Sequence, residues 1–294
     1  EDGIRDPDHS LVGSEMCIRD SMFSDILTPL EPMGAPFDFS QGGPKLERPL
    51  RTEADIDSLS KYDAADGTHF VAEAIKLMKE GLGDQTPLIG FAGSPFTLAT
   101  YLIEGGGSKN YQHLKTMLYS RPELLNRLME KLTDQTLDYL SMQIDAGVDA
   151  VQLFDTWGGI LHPADYAAVV LPCVKRIMDG LKDKGVPRIY FLKGSAPYLD
   201  LVTTLDVEAL GMDWTMDMAK SLPLMEGYAV QGNLDPMALF GSEDQIRDRA
   251  LDICRAGSAA SGHVFNLGHG ITPPTPISAV ETLVATVQGY RKGQ

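Results

Sequence analysis

Six short apolar runs punctuate this chain, and each gives way at its end to Gly, Asp, Asn or His. They are PLIGFAGS (87–94), AVQLFDT (150–156), RIYFLKG (188–194), ALGMDW (209–214), YAVQGNLD (228–235) and HVFNLGHG (263–270). None alternates apolar with polar residues, as a strand with one wet face would. Near-continuous apolarity belongs to strands buried on both faces, as in a parallel sheet. Amphipathic helical patterns separate them. THFVAEAIKLMKEGL precedes the first run, and RPELLNRLMEKLTDQTLDYLSMQIDAG precedes the second, with Gly147 as its stop signal. HPADYAAVVLPCVKRIMDGLKDKG lies between the second and third, SEDQIRDRALDICRAG precedes the last, and PISAVETLVATVQGYRKG closes the chain. Strand–helix alternation of this kind predicts βα units. The polar and glycine residues gather at the C-terminal tips of the strands, where a (β/α)8 barrel or a doubly wound sheet keeps its site. No GxGxxG follows the first run, which weighs against the dinucleotide-binding fold.

A barrel needs eight strands. MFSDIL (22–27) reads as the last residues of a seventh, with Asp25 at its tip. At roughly 30 residues per unit, about 60 residues of barrel are expected to precede it. The expected fold is therefore a single-domain α/β chain, a (β/α)8 TIM barrel over residues 22–294, with its first strand and most of its second missing. The first 21 residues, EDGIRDPDHSLVGSEMCIRDS, are polar and aperiodic. They read as a disordered or foreign leader. Residues 37–59 have no helical period until their end and are expected to form a strand-like excursion after Asp25.

Composition excludes several classes of function. With 41 acidic and 25 basic residues the formal net charge is −16, a poor match for nucleic acid or an anionic membrane. The longest apolar stretch, near Tyr166 to Val174, contains Pro172 and is too short to span a bilayer. Cys17, Cys173 and Cys254 lie far apart and form no CxxC pair, so a reducing, cytoplasmic setting is expected. HExxH, GxSxG and GxxxxGK[ST] are absent. EGGGSK (104–109) has the wrong spacing for a phosphate loop and follows LATYLI, which reads as helix, so a glycine-rich turn is expected there.

The strand tips carry the stronger signal. Each polar residue there has an ordinary structural alternative: Asp25 capping the turn after it, Asp155 and Thr156 bonding backbone at a strand end, Tyr101 packing in a helix, His269 satisfied within the fold. Several such tips at one end of one barrel are harder to assign to packing alone. His269 stands between Gly268 and Gly270, whose bare backbones would let a bulky ligand approach.

FSDIL, PLIGFAGSPFTLATYLIEGGGSK, FDTWGG, GMDWT, QGNLDP and FNLGHG together resemble the uroporphyrinogen decarboxylase family, in that family's order, from about Met22 to the end. The resemblance implies a dimeric (β/α)8 barrel that needs no cofactor. Its activity would be removal of carbon dioxide from the four acetate side chains of uroporphyrinogen III, giving coproporphyrinogen III in porphyrin and haem synthesis. It also implies site residues: Asp25 from FSDIL as the catalytic carboxylate, with Tyr101, Thr156 and His269 binding substrate beside it. The family's arginine-bearing motif, MRQAGRY, has no counterpart here, so the chain is expected to be impaired.

The chemistry is coherent without a cofactor. Loss of carbon dioxide from an acetate leaves an electron pair that needs a sink, and a pyrrole protonated on a ring carbon is one. A buried carboxylate stabilises that cation. Asp25 would also accept the pyrrole N–H groups. Cations for the eight substrate carboxylates are scarce at the tips, and Lys193 is the clearest. Two alternatives stand beside this reading. A corrinoid-linked methyltransferase of the same barrel ancestry would bind zinc, but no His-x-Cys pair is present. The other is an inactive fragment that binds porphyrinogen or a partner subunit.

Overall fold

All six apolar runs form strands, and these hydrogen-bond side by side in sequence order. The computed structural model describes residues 25–39, 43–83 and 86–291. The leader assigned to residues 1–21, and residues 22–24 of MFSDIL, lie outside them. The strands are β1 (Ile89–Gly93), β2 (Ala150–Asp155), β3 (Arg188–Leu192), β4 (Ala209–Gly211), β5 (Ala229–Gln231) and β6 (His263–Val264). Every neighbouring pair is parallel, with Gly90 opposite Val151, Val151 opposite Arg188, Ile189 opposite Ala209 and Val230 opposite His263. The later strands are short, but the ladder continues past them: Met212 N donates to Gln231 O at 2.7 Å and Gly232 N to Val264 O at 3.0 Å. This is the wall of a (β/α)8-type barrel, of which the described residues supply six strands.

Both faces of the sheet are covered, which is why the runs do not alternate. One face holds Val151, Leu153, Tyr190, Leu192, Leu210 and Val230 against the helices in the main core. The other carries a separate small cluster of Ile89, Ala150, Ile189 and Ala209 toward the barrel axis. One layer higher, Gln152 Oε1 accepts from Gln231 Nε2 at 3.2 Å. The rings of Phe91, Phe154 and Phe191 meet edge to face beside that pair.

The helices follow the sequence periods. They are α1 (His69–Leu82), α2 (Pro95–Glu104), α3 (Gln112–Ser120), α4 (Pro122–Ala146), α5 (Leu171–Leu181), α6 (Glu243–Gly257) and α7 (Ile277–Gly289). Helix α4 begins on Pro122 and stops at Gly147, whose φ of 111° is the left-handed cap expected from the sequence. Helix α6 begins on a Ser242–Gln245 capping box. The stretch before α5 departs from a plain helix: Tyr166–Val170 is π-helical. Pro172, in the first turn of α5, has no N–H to donate backward, and a widened turn absorbs that loss.

One edge of the sheet is closed by a side chain. Residues 88 and 94 direct their ladder bonds toward β2, so Phe91 directs its own the other way. There the buried carboxamide of Gln143 takes both groups: Phe91 N donates to Oε1 and Nε2 donates to Phe91 O, each at 2.9 Å. Gly90 is required beside it, because a Cβ there would stand 2.6 Å from Gln143 Oε1. The excursion after Asp25 is as expected. Phe37–Asp38 pairs antiparallel with Lys45–Leu46, and a short helix follows at Glu53–Ser58. Leu50 N then donates to Leu102 O at 2.9 Å, pinning the segment to the end of α2. Among the described residues no helix is long and apolar enough to cross a membrane.

Replacing Gln143 with Leu strands a buried N–H and C=O of Phe91. It should lower the unfolding free energy by roughly 2–4 kcal/mol, measured by urea denaturation. A loss below about 0.5 kcal/mol would mean that another group takes over this edge.

Candidate active site

The pleat decides which tip residues share one opening. On β2, Gln152 and Phe154 face the axis, so Thr156 is next on that side. On β3 the same step runs from Phe191 to Lys193, and on β4 from Gly211 to Asp213. These residues therefore converge at the C-terminal end of the sheet. Thr156 and Lys193 are half-buried and Asp213 is fully buried.

Asp25 opens the described chain at the tip of β1. A Cβ on Gly93 would stand 3.3 Å from Ile26 Cβ, so the Asp25–Ile26 segment crosses directly over that strand end. Asp25 also does the capping job the sequence allowed. Oδ1 accepts from Leu27 N at 2.8 Å, and its carbonyl accepts from Thr28 N at 3.1 Å. The residues that follow are turn and 3-10 helix (Thr28–Leu30), so the strand read in MFSDIL does not extend past its tip. The Asp25 side chain is exposed, and the turn uses only one of its carboxylate oxygens.

Tyr101 projects from α2 toward the same place. Its ring meets Trp157 edge-on at 6.3 Å, and Tyr111 packs on the other part of that indole at 5.3 Å. Burial pushes the Tyr101 phenol above its ordinary 10.0, Trp157 opposes, and the charge on Asp25 raises it again. Tyr101 is therefore a neutral hydrogen-bond donor at neutral pH. Tyr111 holds its ring there from a left-handed backbone, φ 51°, at the start of α3. Few non-glycine residues adopt that conformation, and those that do are often held by a local functional constraint.

Lys193 and His269 share the other side of the opening. Lys193 Nζ lies 5.4 Å from the Trp157 ring centre and 5.7 Å from that of Trp214. His269 stands edge-on to Trp214 at 6.2 Å. Its side chain reaches solvent. Even so, partial burial and then the Lys193 charge hold its proton affinity below the ordinary 6.5, with Asp213 acting against them. Of the two glycines beside it, Gly268 does different work from the one expected. A Cβ on Gly268 would collide with the Asp213–Trp214 peptide, so this glycine admits the chain's own backbone rather than a ligand. Gly270 has nothing within 4 Å and faces open space.

Beneath the opening lies a group that sequence reasoning treated only as a strand-end cap. Asp155 is fully buried on the helix-facing side of β2. Thr97 Oγ1 donates to its Oδ1 at 2.8 Å, Gly158 N to the same oxygen at 2.9 Å, and Tyr190 Oη to Oδ2 at 3.0 Å. Tyr166 Oη continues the chain, 2.7 Å from Tyr190 Oη. Burial raises the Asp155 pKa above 3.8, and the donors from Thr97, Tyr190 and Gly158 pull it back. Thr97 Oγ1 also accepts from Trp157 N at 3.2 Å. One carboxylate thus joins the helix bearing Tyr101, the loop bearing Thr156 and Trp157, and the strand leading to Lys193.

The structure brings Asp25, Tyr101, Thr156 and His269 to one end of the sheet. The residues that sequence reasoning missed are Trp157, Trp214 and Tyr111. A signal was present: both tryptophans directly follow a mouth-side tip residue, in FDTW and in MDW. The described arginines that pair with carboxylates lie elsewhere. Arg188 is buried at the opposite end of β3, 2.8 Å from Glu208 and donating to Met178 O. Arg48 pairs with Asp55, Arg127 with Asp57, Arg176 with Asp134 and Arg247 with Glu243. EGGGSK is a turn: Gly105 caps α2 with φ 83°, and Gly106 bridges to Lys45. Among the described residues no three His, Cys, Asp or Glu side chains lie together as metal ligands would. Cys173 Sγ donates to Val169 O inside its helix, and Cys254 is buried in α6.

Comparison with known proteins agrees with this architecture. A family profile described as uroporphyrinogen decarboxylase (URO-D) matches residues 19–290. The uroporphyrinogen decarboxylase of Myxococcus xanthus is 46% identical over 270 residues, covering 92% of this chain and 77% of that protein. That of Geotalea daltonii is 45% identical over 255 residues, covering 87% and 75%. Among solved structures, a methyltransferase from Methanosarcina mazei superposes with a TM-score of 0.76 at 18% identity, covering 91% of this chain and 79% of that one. At that identity the likeness concerns the fold alone.

Asp155 yields a test of the layer under the site. An acid whose pKa is raised on folding contributes stability when protonated and loses it as pH rises through the folded value. An amide has no such cost, and its Nδ2 can donate to Tyr190 while that hydroxyl donates to Tyr166. Asp155→Asn should therefore stay within about 1 kcal/mol of the parent at pH 7, whereas Asp155→Ala should lose about 2–4 kcal/mol. Thermal unfolding of the two variants checks this. Equal losses would show that the charge itself holds the network.

Proposed function

This chain belongs to the uroporphyrinogen decarboxylase family, and on that premise we propose that the cluster at the C-terminal end of its sheet is the decarboxylation site. The reaction removes the acetate carboxyls of uroporphyrinogen III one after another and yields coproporphyrinogen III. The observation that carries the assignment of residues is the convergence of Asp25, Tyr101, Thr156 and His269, drawn from four separate segments, on one opening.

The chemistry follows from the groups present. A proton adds to a pyrrole ring carbon, making the ring cationic. The bond from the acetate methylene to its carboxylate then breaks, carbon dioxide leaves, and the electron pair flows into the ring. Protonation of the resulting exocyclic methylene and loss of the ring-carbon proton leave a methyl group, so each cycle consumes one proton. Asp25 stabilises the cation and accepts the pyrrole N–H groups. Tyr101, Thr156 and His269 donate to peripheral carboxylates. Tyr101 suits this role because its phenol stays protonated. Every electron goes to the substrate's own ring, so the reading calls for no cofactor.

Residues 22–294 act as one domain in this reading, and the enzyme works as a homodimer in the cytoplasm. The dimer follows from family membership, and light scattering of the purified enzyme tests it. The methyltransferase alternative rests on a likeness of fold alone. A porphyrinogen-binding role without turnover is excluded if coproporphyrinogen forms from uroporphyrinogen under anaerobic conditions. Because the chain is expected to be impaired, product formation at a much reduced rate is the expected result, and its absence with intact binding would favour the binding role.

Asp25→Asn should lower kcat by about 2–4 kcal/mol in barrier terms while KM changes less, because the charge acts mainly on a cation that exists only after protonation. Steady-state kinetics check this, and an unchanged kcat with a raised KM would give Asp25 to binding instead.

A further inference from the structure

Lys193 is an unusual lysine in so acidic a chain. Most lysines and arginines with a described partner hold a carboxylate, as Lys79 does with Asp149 at 2.7 Å and Lys220 with Asp217 at 2.7 Å. Lys193 holds none: its contacts among the described residues are the faces of Trp157 and Trp214. The carboxylate in its neighbourhood is already taken. Asp213 Oδ1 accepts from Thr215 N at 2.8 Å and Thr215 Oγ1 at 2.5 Å, and Oδ2 accepts from Gly194 N. The acid that could neutralise Lys193 is thus turned into its own loop.

An aromatic clamp and an acidic one do different things to an ammonium group. A carboxylate uses its N–H donors and cancels its charge. An indole face attracts the cation through its quadrupole, fixes its position and leaves donors free for another partner. Two indoles on different loops, one after β2 and one after β4, fix it better than one. Both loops are held from below, Trp157 by its N–H to Thr97 and the Asp213 loop by Asn233 Nδ2, which donates to Asp213 O at 2.9 Å and Met216 O at 2.8 Å. The result is an uncancelled positive charge set at the opening, next to His269.

We propose that Lys193, clamped between Trp157 and Trp214, is a binding residue for a carboxylate side chain of the substrate. The inference rests on the reading of this opening as the decarboxylation site and adds to it the cation that Tyr101, Thr156 and His269 do not supply. The indole faces keep the ammonium unneutralised until the substrate arrives, and a charge-assisted hydrogen bond to the carboxylate then replaces water.

The chain itself provides the probe. Trp157 and Trp214 are its only two tryptophans, so selectively excited tryptophan fluorescence reports on this clamp. The full chain and its Lys193→Met, Lys193→Arg and Lys220→Met variants are titrated anaerobically with uroporphyrinogen III at low and high salt, alongside far-ultraviolet circular dichroism and thermal unfolding. Saturable fluorescence change is expected in the parent and in Lys220→Met. Lys193→Met should bind about ten- to hundredfold more weakly, with a shallower salt dependence, at unaltered fold. Lys193→Arg should recover most of the affinity, since a guanidinium also stacks on indole and holds carboxylate. If Lys193→Met does not fold, the comparison of Lys193→Arg with the parent against salt decides instead: equal affinity and salt slope support the proposal, and lost affinity overturns it. Equal binding by the parent and a folded Lys193→Met overturns the proposal and leaves the decarboxylase reading intact. No saturable change in the parent overturns the substrate assignment and this proposal with it.

Discussion

The site depends on a buried carboxylate that never reaches it. Asp155 ends β2 on the helix-facing side, and its two oxygens collect donors from α2, from the loop after β2 and from β3. Each of those segments carries a residue of the opening: Tyr101, then Thr156 with Trp157, then Lys193. A single apolar core residue at 155 could pack there, but it could not orient three segments at once, because dispersion has no preferred direction and hydrogen bonds do. The cost of burying a carboxylate without a cation is reduced by directing every donor at it.

A parallel sheet with helices over one face sets the remaining geometry. Alternate residues of β2, β3 and β4 point to the axis, so polar residues one step beyond the last axial aromatic are delivered to a common opening. The same alternation sends Asp155 outward while its neighbour Thr156 goes in. Among the described residues the sheet has an edge at β1, and there a helix side chain takes the place of a strand: Gln143 presents an amide that copies the donor and acceptor spacing of a peptide.

Charge is distributed in a way that the net value of −16 conceals. Most described arginine–carboxylate pairs lie on helices or at the far end of the strands, where exposed pairs contribute little and the buried Arg188 holds the half-exposed Glu208 at the base of β3. At the opening the pattern reverses. Lys193 sits on aromatic faces, and its neighbour His269 is held toward the neutral state by burial and by that same lysine. Among the described residues the opening thus sets one lysine beside hydroxyl and imidazole groups.

The sequence by itself determined the strand–helix order, the six strand positions, the stop at Gly147, the turn at Gly105 and the location of the polar tips. All of these are local: they follow from apolar periodicity, glycine at left-handed caps and proline in first turns, each legible within a few residues. The family motifs added which residues to watch, Asp25, Tyr101, Thr156 and His269. What only the tertiary structure decided is everything that joins segments far apart in the chain. Gly268 is bare because the Asp213–Trp214 peptide passes against it, not because His269 needs room. Gln143 is a strand substitute because the register of β1 points Phe91 at it. Trp157 and Trp214, 57 positions apart in the numbering, become one clamp only when β2 and β4 are set on either side of β3. Spacing along the chain carries no information about such contacts, because loop closure brings together residues whose separation in sequence is arbitrary.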